Sequence, residues 1–446
     1  MVDLLIIGAG PGGYEAALEA RKHGLSVTMF DERPAGGTCL WVGCIPSKAM
    51  HHVAENYRGI AQLQALGQPI TVGPVDLKAL WAQKNNAVHT LAGDVSSLLQ
   101  NAGVEVKLGH AQLTDDHHIL CNGVLYEGKN ILLASGSFPF MPPINGINLP
   151  GVLDSNHLLS LQTLPASLIV VGGGYIGLEW AFILRSFGVK VTIIEVLPSL
   201  LTIADEDVSK RILVFAKKEG IEVLLNVQIG SFEKTETGMK VNLTSDPGRV
   251  LEAEKILVAT GRRPRVEGLG LDKAGVQYSP RGIVVNALKQ TSVPHIYAVG
   301  DCIGNPMLAH KASFEGRQVA MHLAGIEFQP DYSAIPAAVF TFPEIASVGL
   351  TEADVRAKGI TYETKRIPLR ANCKAVASDQ TDGFFKIIYD ANKVLLGAHL
   401  MAPQASVTMH EVAILFHAKK PLTEWKNVIH AHPTLSEIVQ TMLQSL

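Results

Sequence analysis

The strongest pattern along the chain is a set of short, wholly apolar runs that end in glycine. Leu4-Leu5-Ile6-Ile7 leads into Gly8-Ala9-Gly10-Pro11-Gly12-Gly13, an Ala-rich stretch of helical character, and then Val27-Thr28-Met29-Phe30-Asp31. The same design returns as Leu168-Ile169-Val170-Val171, Gly172-Gly173-Gly174-Tyr175-Ile176-Gly177, a second helical stretch, and Val191-Thr192-Ile193-Ile194-Glu195. Apolar runs of this length, bounded by turn signals, predict strands buried on both faces, as in a parallel sheet. Strand, G-x-G-x-x-G turn, helix, second strand and terminal acid, in that order, make the fingerprint of a dinucleotide-binding βαβ unit.

The glycines have separable tasks. Gly8 and Gly172 permit the tight turn, Gly10 and Gly174 let a pyrophosphate approach, and Gly13 and Gly177 let each helix pack closely on its strand. The helix N-terminus then offers free N–H groups and the positive end of a dipole. One such turn alone is weak support for a nucleotide site. Two complete copies predict two bound dinucleotides.

Pro- and Gly-rich stretches at residues 139–150 and 262–270 predict crossings between domains. The second unit would then be inserted in the first domain, which resumes near Ala298-Val299-Gly300-Asp301. From about Phe328 the pattern changes to alternating strands such as Phe384-Phe385-Lys386-Ile387-Ile388-Tyr389, followed by helices, which predicts a separate α+β domain.

Composition narrows the function classes. A chain of 446 residues exceeds one hydrophobic core, so roughly two to four domains are expected. With 47% hydrophobic and 18% charged residues it reads as a compact enzyme. A net charge of -3 without a basic run argues against nucleic acid or an anionic membrane as partner. The first strand follows Met1 almost at once, leaving no room for a signal segment, and no apolar run is long enough to span a bilayer, so a cytoplasmic protein is expected. Five dispersed cysteines are not a disulfide scaffold. Cys121, Cys302 and Cys373 stand alone, so a four-cysteine zinc site is not expected, and no metal is.

The remaining pair carries candidate chemistry. In Gly36-Gly37-Thr38-Cys39-Leu40-Trp41-Val42-Gly43-Cys44-Ile45-Pro46-Ser47-Lys48, two cysteines stand five residues apart. Five regular helical steps advance about 7.5 Å, whereas a disulfide holds its Cα atoms within about 7 Å. The pair closes only across an irregular turn, for which Gly43 is suited. Pro46 fits the first turn of a helix, which sets Cys44 at that helix's N-terminal end, where a thiolate is stabilised. Lys48 falls one turn later on the same face; its ordinary alternative is a surface lysine.

This string resembles the active-site motif of the flavin-linked disulfide reductases, and the resemblance extends over essentially the whole chain. It implies an α/β fold with two Rossmann-like domains, for FAD and NAD, plus a C-terminal α+β dimerisation domain. The implied divisions are residues 1–141 for the first part of the FAD domain, 142–261 for the NAD domain, 262–328 for the part completing the FAD domain, and 329–446 for the interface. It further implies that Cys44 faces the flavin and Cys39 exchanges with substrate. Asp31 would take the adenosine ribose and Asp301 the ribityl chain, with Ala134-Ser135-Gly136-Ser137 at a strand crossing. Glu179 would pair with Lys48. Further cofactor contacts are implied for Gly37, Thr38, Lys48, Ala111, Tyr175, Ile176, Gly261, Met307, Leu308, Ala309 and His310.

At the C-terminus, His430-Ala431-His432-Pro433-Thr434-Leu435-Ser436-Glu437 resembles the base motif of the dihydrolipoyl dehydrogenases. That resemblance makes His432 the base and Glu437 its orienting acid, with His430 a structural neighbour. Because the family's histidine serves the opposite subunit's dithiol, a homodimer is implied. The implied reaction oxidises the dihydrolipoyl group of a lipoyl carrier protein, or of an acyltransferase in a multienzyme complex, through a Cys39–Cys44 disulfide and FAD, and reduces NAD. Glu195 suits an unmodified ribose, and no Arg follows it before Arg211, which disfavours an NADPH-linked glutathione-type reductase. Mercuric reductases carry a C-terminal cysteine pair that does not follow Cys373, and a flavin transhydrogenase needs no dithiol. Another disulfide substrate, or a lipoyl-domain-binding structural subunit, are the alternatives.

Three departures from the family pattern stand out. Trp41 replaces a common Asn and predicts a bulky ring within the redox loop. Val407 replaces a usual acid in a segment resembling an interface. The chain also ends sooner after the histidine motif than many relatives do.

Overall fold

The computed structural model describes every residue except 247, 305 and 328. Its first sheet is built on the Val2–Ile7 strand, which pairs in parallel with Val27–Asp31 on one side and Val124–Leu133 on the other. Glu105–Leu108 extends it beyond Val27–Asp31, and Ile296–Ala298 returns from far along the chain to lie parallel on Val124–Leu133. Leu4, Leu5 and Ile6 are fully buried, as a strand covered on both faces requires.

One face of that sheet carries two crossed helices, Pro11–Lys22 and Ala309–Leu323. They meet through small residues: a Cβ added to Gly316 would stand 2.1 Å from the Gly12 carbonyl oxygen. Backbone therefore packs on backbone, and the N-terminal ends of both helices face the same cavity.

The second sheet repeats the plan, with Glu222–Leu224, Lys190–Ile194, Ser167–Val171, Lys255–Val258 and Val152–Leu153 in parallel. A three-stranded antiparallel meander, Ile229–Lys234, Met239–Leu243 and Val250–Ala253, packs beside it. The chain passes between the two sheets through an antiparallel ribbon of Ser137–Pro139 and Arg262–Pro264.

The third sheet is antiparallel: Ala337–Val339, Glu344–Gly349, Leu395–Ala402, Phe384–Tyr389 and Glu363–Pro368. Phe328, where the sequence sets the start of this unit, lies outside the described residues. All six residues of the 384–389 strand are buried. Lys386, 3% exposed, has its ammonium 2.7 Å from Asp205, 2.8 Å from Asp207 and 2.5 Å from Glu352. Through Asp205 and Asp207 this ion-pair cluster ties the strand to the second unit. Among the described residues, no helix is long and apolar enough to cross a membrane.

Candidate active site

Cys39 lies in the short Gly37–Val42 helix and Cys44 opens the Cys44–Ala65 helix. Between them Gly43 takes φ -128° and ψ -110°. A Cβ at that position would stand 2.8 Å from the Thr38 carbonyl oxygen and 3.2 Å from the Cys39 Cα, so the turn folds back on Cys39 only because Gly43 lacks one. Both residues are free thiols here, close enough to act on each other's ionisation.

The two sulfurs are driven apart electrostatically. The neighbouring Cys39 thiol and the nearby Lys48 ammonium bring the Cys44 thiol down to about 7, whereas the neighbouring Cys44 sulfur, together with burial, pushes Cys39 well above its usual value. The helix N-terminus at Cys44 favours an anion in the same sense.

Lys48 is not a free surface lysine. Its Nζ lies 2.7 Å from Glu179 Oε2 and 4.1 Å from the centroid of the Phe340 ring. Glu179, nearly buried, accepts a second bond on Oε1 from the Phe340 backbone N–H at 3.0 Å. The ion pair thus joins the redox helix, the helix of the second nucleotide turn and a loop of the third unit.

A cavity of about 810 Å³ opens on the dithiol. Around it stand Gly8, Gly10, Asp31, Gly37, Thr38, Lys48, Ala111, Ser135, Gly136, Ser137, Asp301, Met307, Leu308, Ala309 and His310, together with both cysteines, Glu179, Tyr175 and Ile176. Gly10 and Gly37 form a cradle in its floor: a Cβ on Gly37 would stand 2.4 Å from the Gly10 Cα. A second cavity of about 480 Å³ is lined by Gly172, Gly174, Tyr175, Ile176, Glu195 and Gly261. Tyr175 and Ile176 belong to both walls. Gly13 and Gly177 lie beneath the turns, where a Cβ would come within 1.9 Å of the Gly8 oxygen and 2.1 Å of the Gly172 oxygen.

The acids at the strand ends act alike. Asp31 Oδ2 accepts the Ala9 N–H at 2.7 Å, and Glu195 Oε2 accepts the Gly173 N–H at 2.6 Å. Each carboxylate fixes its glycine turn at the wall of a cavity. Asp301 Oδ2 accepts from Ser137 Oγ at 2.5 Å, and Ser137 in turn accepts from Arg262 Nε at 2.8 Å. The cavity therefore fits a dinucleotide extended from the Asp31 end to the dithiol: two helix N-termini for phosphate, a carboxylate for ribose, and a cation beside the sulfur.

The C-terminal motif stands elsewhere. His432 Nδ1 lies 2.9 Å from Glu437 Oε1, and Glu437 Oε2 accepts the Thr434 N–H at 2.7 Å. Those two bonds, Thr434 first, hold Glu437 below the usual carboxylate range. The His432 side chain is 66% exposed and is not among the residues around either cavity. His430 is turned away, with Nε2 2.6 Å from Glu411. Within one chain the motif and the dithiol are not brought together.

Trp41 corrects an expectation. Its ring turns out of the redox loop, donating to the Pro34 and Ala35 carbonyls at 2.9 and 3.3 Å and meeting His89 edge-on at 5.8 Å. Partnered indole N–H and apolar neighbours on the Leu77–Asn101 helix explain that direction. Val407 is 67% exposed, on the same helix as Ile414 at 68%.

Sequence reasoning missed Phe340, Arg262 and Glu315. Glu315, fully buried, lies 2.9 Å from Lys311 and 3.1 Å from Lys289, and accepts the Gly300 N–H at 2.8 Å, fixing the turn that carries Asp301. The signal for Arg262 was the run Gly261-Arg262-Arg263-Pro264 at the domain crossing. Phe340 acts on Glu179 through its backbone and leaves no signature.

Comparison with known proteins covers the same extent. A family model described as pyridine nucleotide-disulphide oxidoreductase matches residues 2–316, and its dimerisation-domain model matches residues 335–443. The dihydrolipoyl dehydrogenase of Geobacillus stearothermophilus is 37% identical over 444 residues, 98% of this chain and 94% of its own. That of Thermus scotoductus is 37% identical over 452 residues, 100% of this chain and 97% of its own. LpdA from Mycobacterium tuberculosis superposes with a TM-score of 0.92 at 28% identity, covering 100% of this chain and 99% of its own.

Proposed function

The chain belongs to the pyridine nucleotide-disulphide oxidoreductase family, and from that premise we propose that it is a dihydrolipoyl dehydrogenase, FAD-dependent and NAD-linked. The observation that carries the reading is the joined set Cys39, Cys44, Lys48 and Glu179 on a cavity shaped for a dinucleotide. FAD occupies the larger cavity and NAD the smaller. Full-length similarity to dihydrolipoyl dehydrogenases supports the dithiol substrate.

The chemistry follows from the residues. In the oxidised enzyme Cys39 and Cys44 are a disulfide. His432, brought by a second subunit, takes a proton from a dihydrolipoyl thiol, and the substrate thiolate attacks the Cys39 sulfur. The Cys39–Cys44 bond breaks and Cys44 leaves as a thiolate, which its lowered pKa favours. The substrate's second thiol attacks its own mixed-disulfide sulfur, closes the lipoyl ring and releases Cys39, whose sulfur, with its raised pKa, takes up the proton that the attacking thiol gives. Lys48 holds positive charge beside the Cys44 thiolate, and Glu179 fixes the lysine. FAD, which Gly10, Asp31, Lys48 and Asp301 would hold, would supply a two-electron acceptor for the dithiol and a hydride donor for NAD.

A homodimer, a lipoyl-bearing carrier as partner and a cytoplasmic setting are parts of the same proposal. The dimerisation-domain match supports the first, and the dispersed cysteines the last. The division at 1–141, 142–261, 262–328 and 329–446 is likewise proposed, supported by the return of Ile296–Ala298 to the first sheet. Rapid mixing of purified enzyme with dihydrolipoamide, followed by flavin absorption, tests the function. Reduction within the turnover time supports it; failure with this dithiol, alongside rapid reduction by NADH, moves the substrate to another disulfide.

A further inference from the structure

We propose that Lys386, in the third structural unit, is a positioning residue for the nicotinamide dinucleotide: through Asp205 it holds the segment 201–204 at the wall of the smaller cavity. The inference rests on the reading of that cavity as the NAD site. Lys386 has no part in the dithiol chemistry and is not among the residues around either cavity. Its ammonium is nevertheless drawn out of water into the contact between two units.

A buried ammonium persists only with close, specific partners, because its desolvation is otherwise uncompensated. Asp205 shares that burial most completely. Its side chain is 0% exposed and that of Lys386 4%, against 33% for Asp207 and 23% for Glu352, so the pair with Asp205 is the least screened of the three. The same helix has a second tie to the third unit, from Arg211 and Lys218 to Asp382, but those partners are 36–66% exposed and stand away from the cavity segment.

Asp205 passes the hold on to the cavity. Its Oδ1 also accepts the Asp207 N–H at 3.1 Å, capping the Glu206–Lys218 helix, and its Oδ2 accepts the Glu352 N–H at 3.2 Å. Its backbone carbonyl accepts the Ser209 N–H at 3.0 Å, and Ser209 Oγ donates to the Leu201 carbonyl at 3.0 Å. Leu201 stands at φ 47°, a left-handed conformation that a leucine keeps only where its surroundings impose it. The Leu201 N–H donates to the Gly173 carbonyl at 3.0 Å, and Gly173 is the turn residue whose own N–H is held by Glu195. Leu201, Thr202 and Ile203 line the smaller cavity together with Gly173 and Glu195. A continuous path of contacts thus runs from Lys386 to the glycine turn, and loosening Asp205 would release the strained joint in it.

The test titrates FAD-loaded enzyme calorimetrically with ADP-ribose, which carries the riboses and phosphates of NAD without the nicotinamide, so binding is read without turnover. Lys386→Met is expected to weaken ADP-ribose about tenfold at native FAD content, and Asp205→Asn, which keeps a capping oxygen but loses the charge, about threefold. Asp382→Asn, on the exposed tie, should stay within about twofold. Gly174→Val places a side chain where a pyrophosphate approaches and so tests the cavity itself. Wild-type affinity in Gly174→Val refutes the reading of the cavity and the inference with it. Loss in Gly174→Val beside wild-type affinity in Lys386→Met overturns the inference alone, as does an equal loss in Lys386→Met and Asp382→Asn, which would assign the effect to the contact as a whole. Should Lys386→Met fail to fold, Asp205→Asn decides by the same comparisons.

Discussion

Glu179 holds Lys48 at 2.7 Å and is itself held by the Phe340 backbone N–H at 3.0 Å, so the lysine beside the dithiol is oriented from the third structural unit. Lys48 contributes to lowering Cys44, whereas Glu179 opposes it. Removing the two should therefore have opposite effects on the thiolate. Lys48→Met is expected to move the pH titration of the Cys44 thiolate in two-electron-reduced enzyme upward by about one pH unit. Glu179→Gln should move it downward or leave it in place, while slowing turnover through a misplaced lysine. The thiolate-to-flavin absorption band, followed against pH, reads both; an unchanged titration in Lys48→Met removes the lysine from thiolate stabilisation.

The same band gives the pH dependence of the unaltered protein. Cys44 falls from the ordinary thiol range to about 7, so reduced enzyme should show the band above that pH and lose it on acidification. The linkage has the matching sign. A folded thiol that ionises more readily than the unfolded one contributes stability that is fully present above the unfolded value near 8.5, shrinks as pH falls, and is lost as pH falls through about 7. Cys44→Ser should abolish the band and dithiol turnover while FAD stays bound. A persisting band would assign the flavin-facing thiol elsewhere.

Glu195 spends one oxygen on the Gly173 N–H and the other, at 2.9 Å, on the Leu197 N–H. It is thereby fixed where a ribose 2′-hydroxyl would donate to it and a 2′-phosphate would be repelled. The kcat/KM for NAD should exceed that for NADP, and Glu195→Gln should narrow the gap about tenfold or more by removing the charge while keeping the acceptor. A preference for NADP in the wild type defeats this assignment.

Close helix contact makes Gly316 a sensitive position. Its missing Cβ leaves room for the Gly12 carbonyl, so Gly316→Val should push apart two helices whose N-termini line the FAD cavity. An overpacked contact of this kind costs about 1–3 kcal/mol. Reduced FAD retention and a lower unfolding midpoint are expected together; native FAD content at native stability would show that the crossing can relax.

How legible these features were depends on where their causes lie. The two nucleotide turns could be read because strand, glycine, helix and acid are consecutive, and each task constrains a residue type. Trp41 could not be placed, since its direction is set by carbonyls at Pro34 and Ala35 and by a helix that begins far downstream. The burial of Lys386 could not be read, because its three carboxylates come from distant segments. Phe340 was invisible, because any residue except proline supplies a backbone N–H.

His432 is the assignment on which the substrate half-reaction turns. Its ring is largely exposed and stands away from both cavities, while Glu437 fixes Nδ1 at 2.9 Å and leaves Nε2 to face outward. An imidazole held in that way acts on the dithiol only when a second subunit brings it there, so dimer formation and base catalysis should fail together on dilution. In the intact dimer, His432→Gln should slow reduction by dihydrolipoamide about 100-fold to 10,000-fold, the range for a positioned base. Reoxidation by NAD should change far less, because hydride transfer does not use that proton. Glu437→Gln should produce a smaller loss in the same half-reaction, since the carboxylate orients the ring and stabilises its cation. Rapid-reaction measurement of each half-reaction separates these cases. Wild-type reduction by dihydrolipoamide in a folded, FAD-loaded, dimeric His432→Gln protein would leave the C-terminal motif as an interface element and require another base.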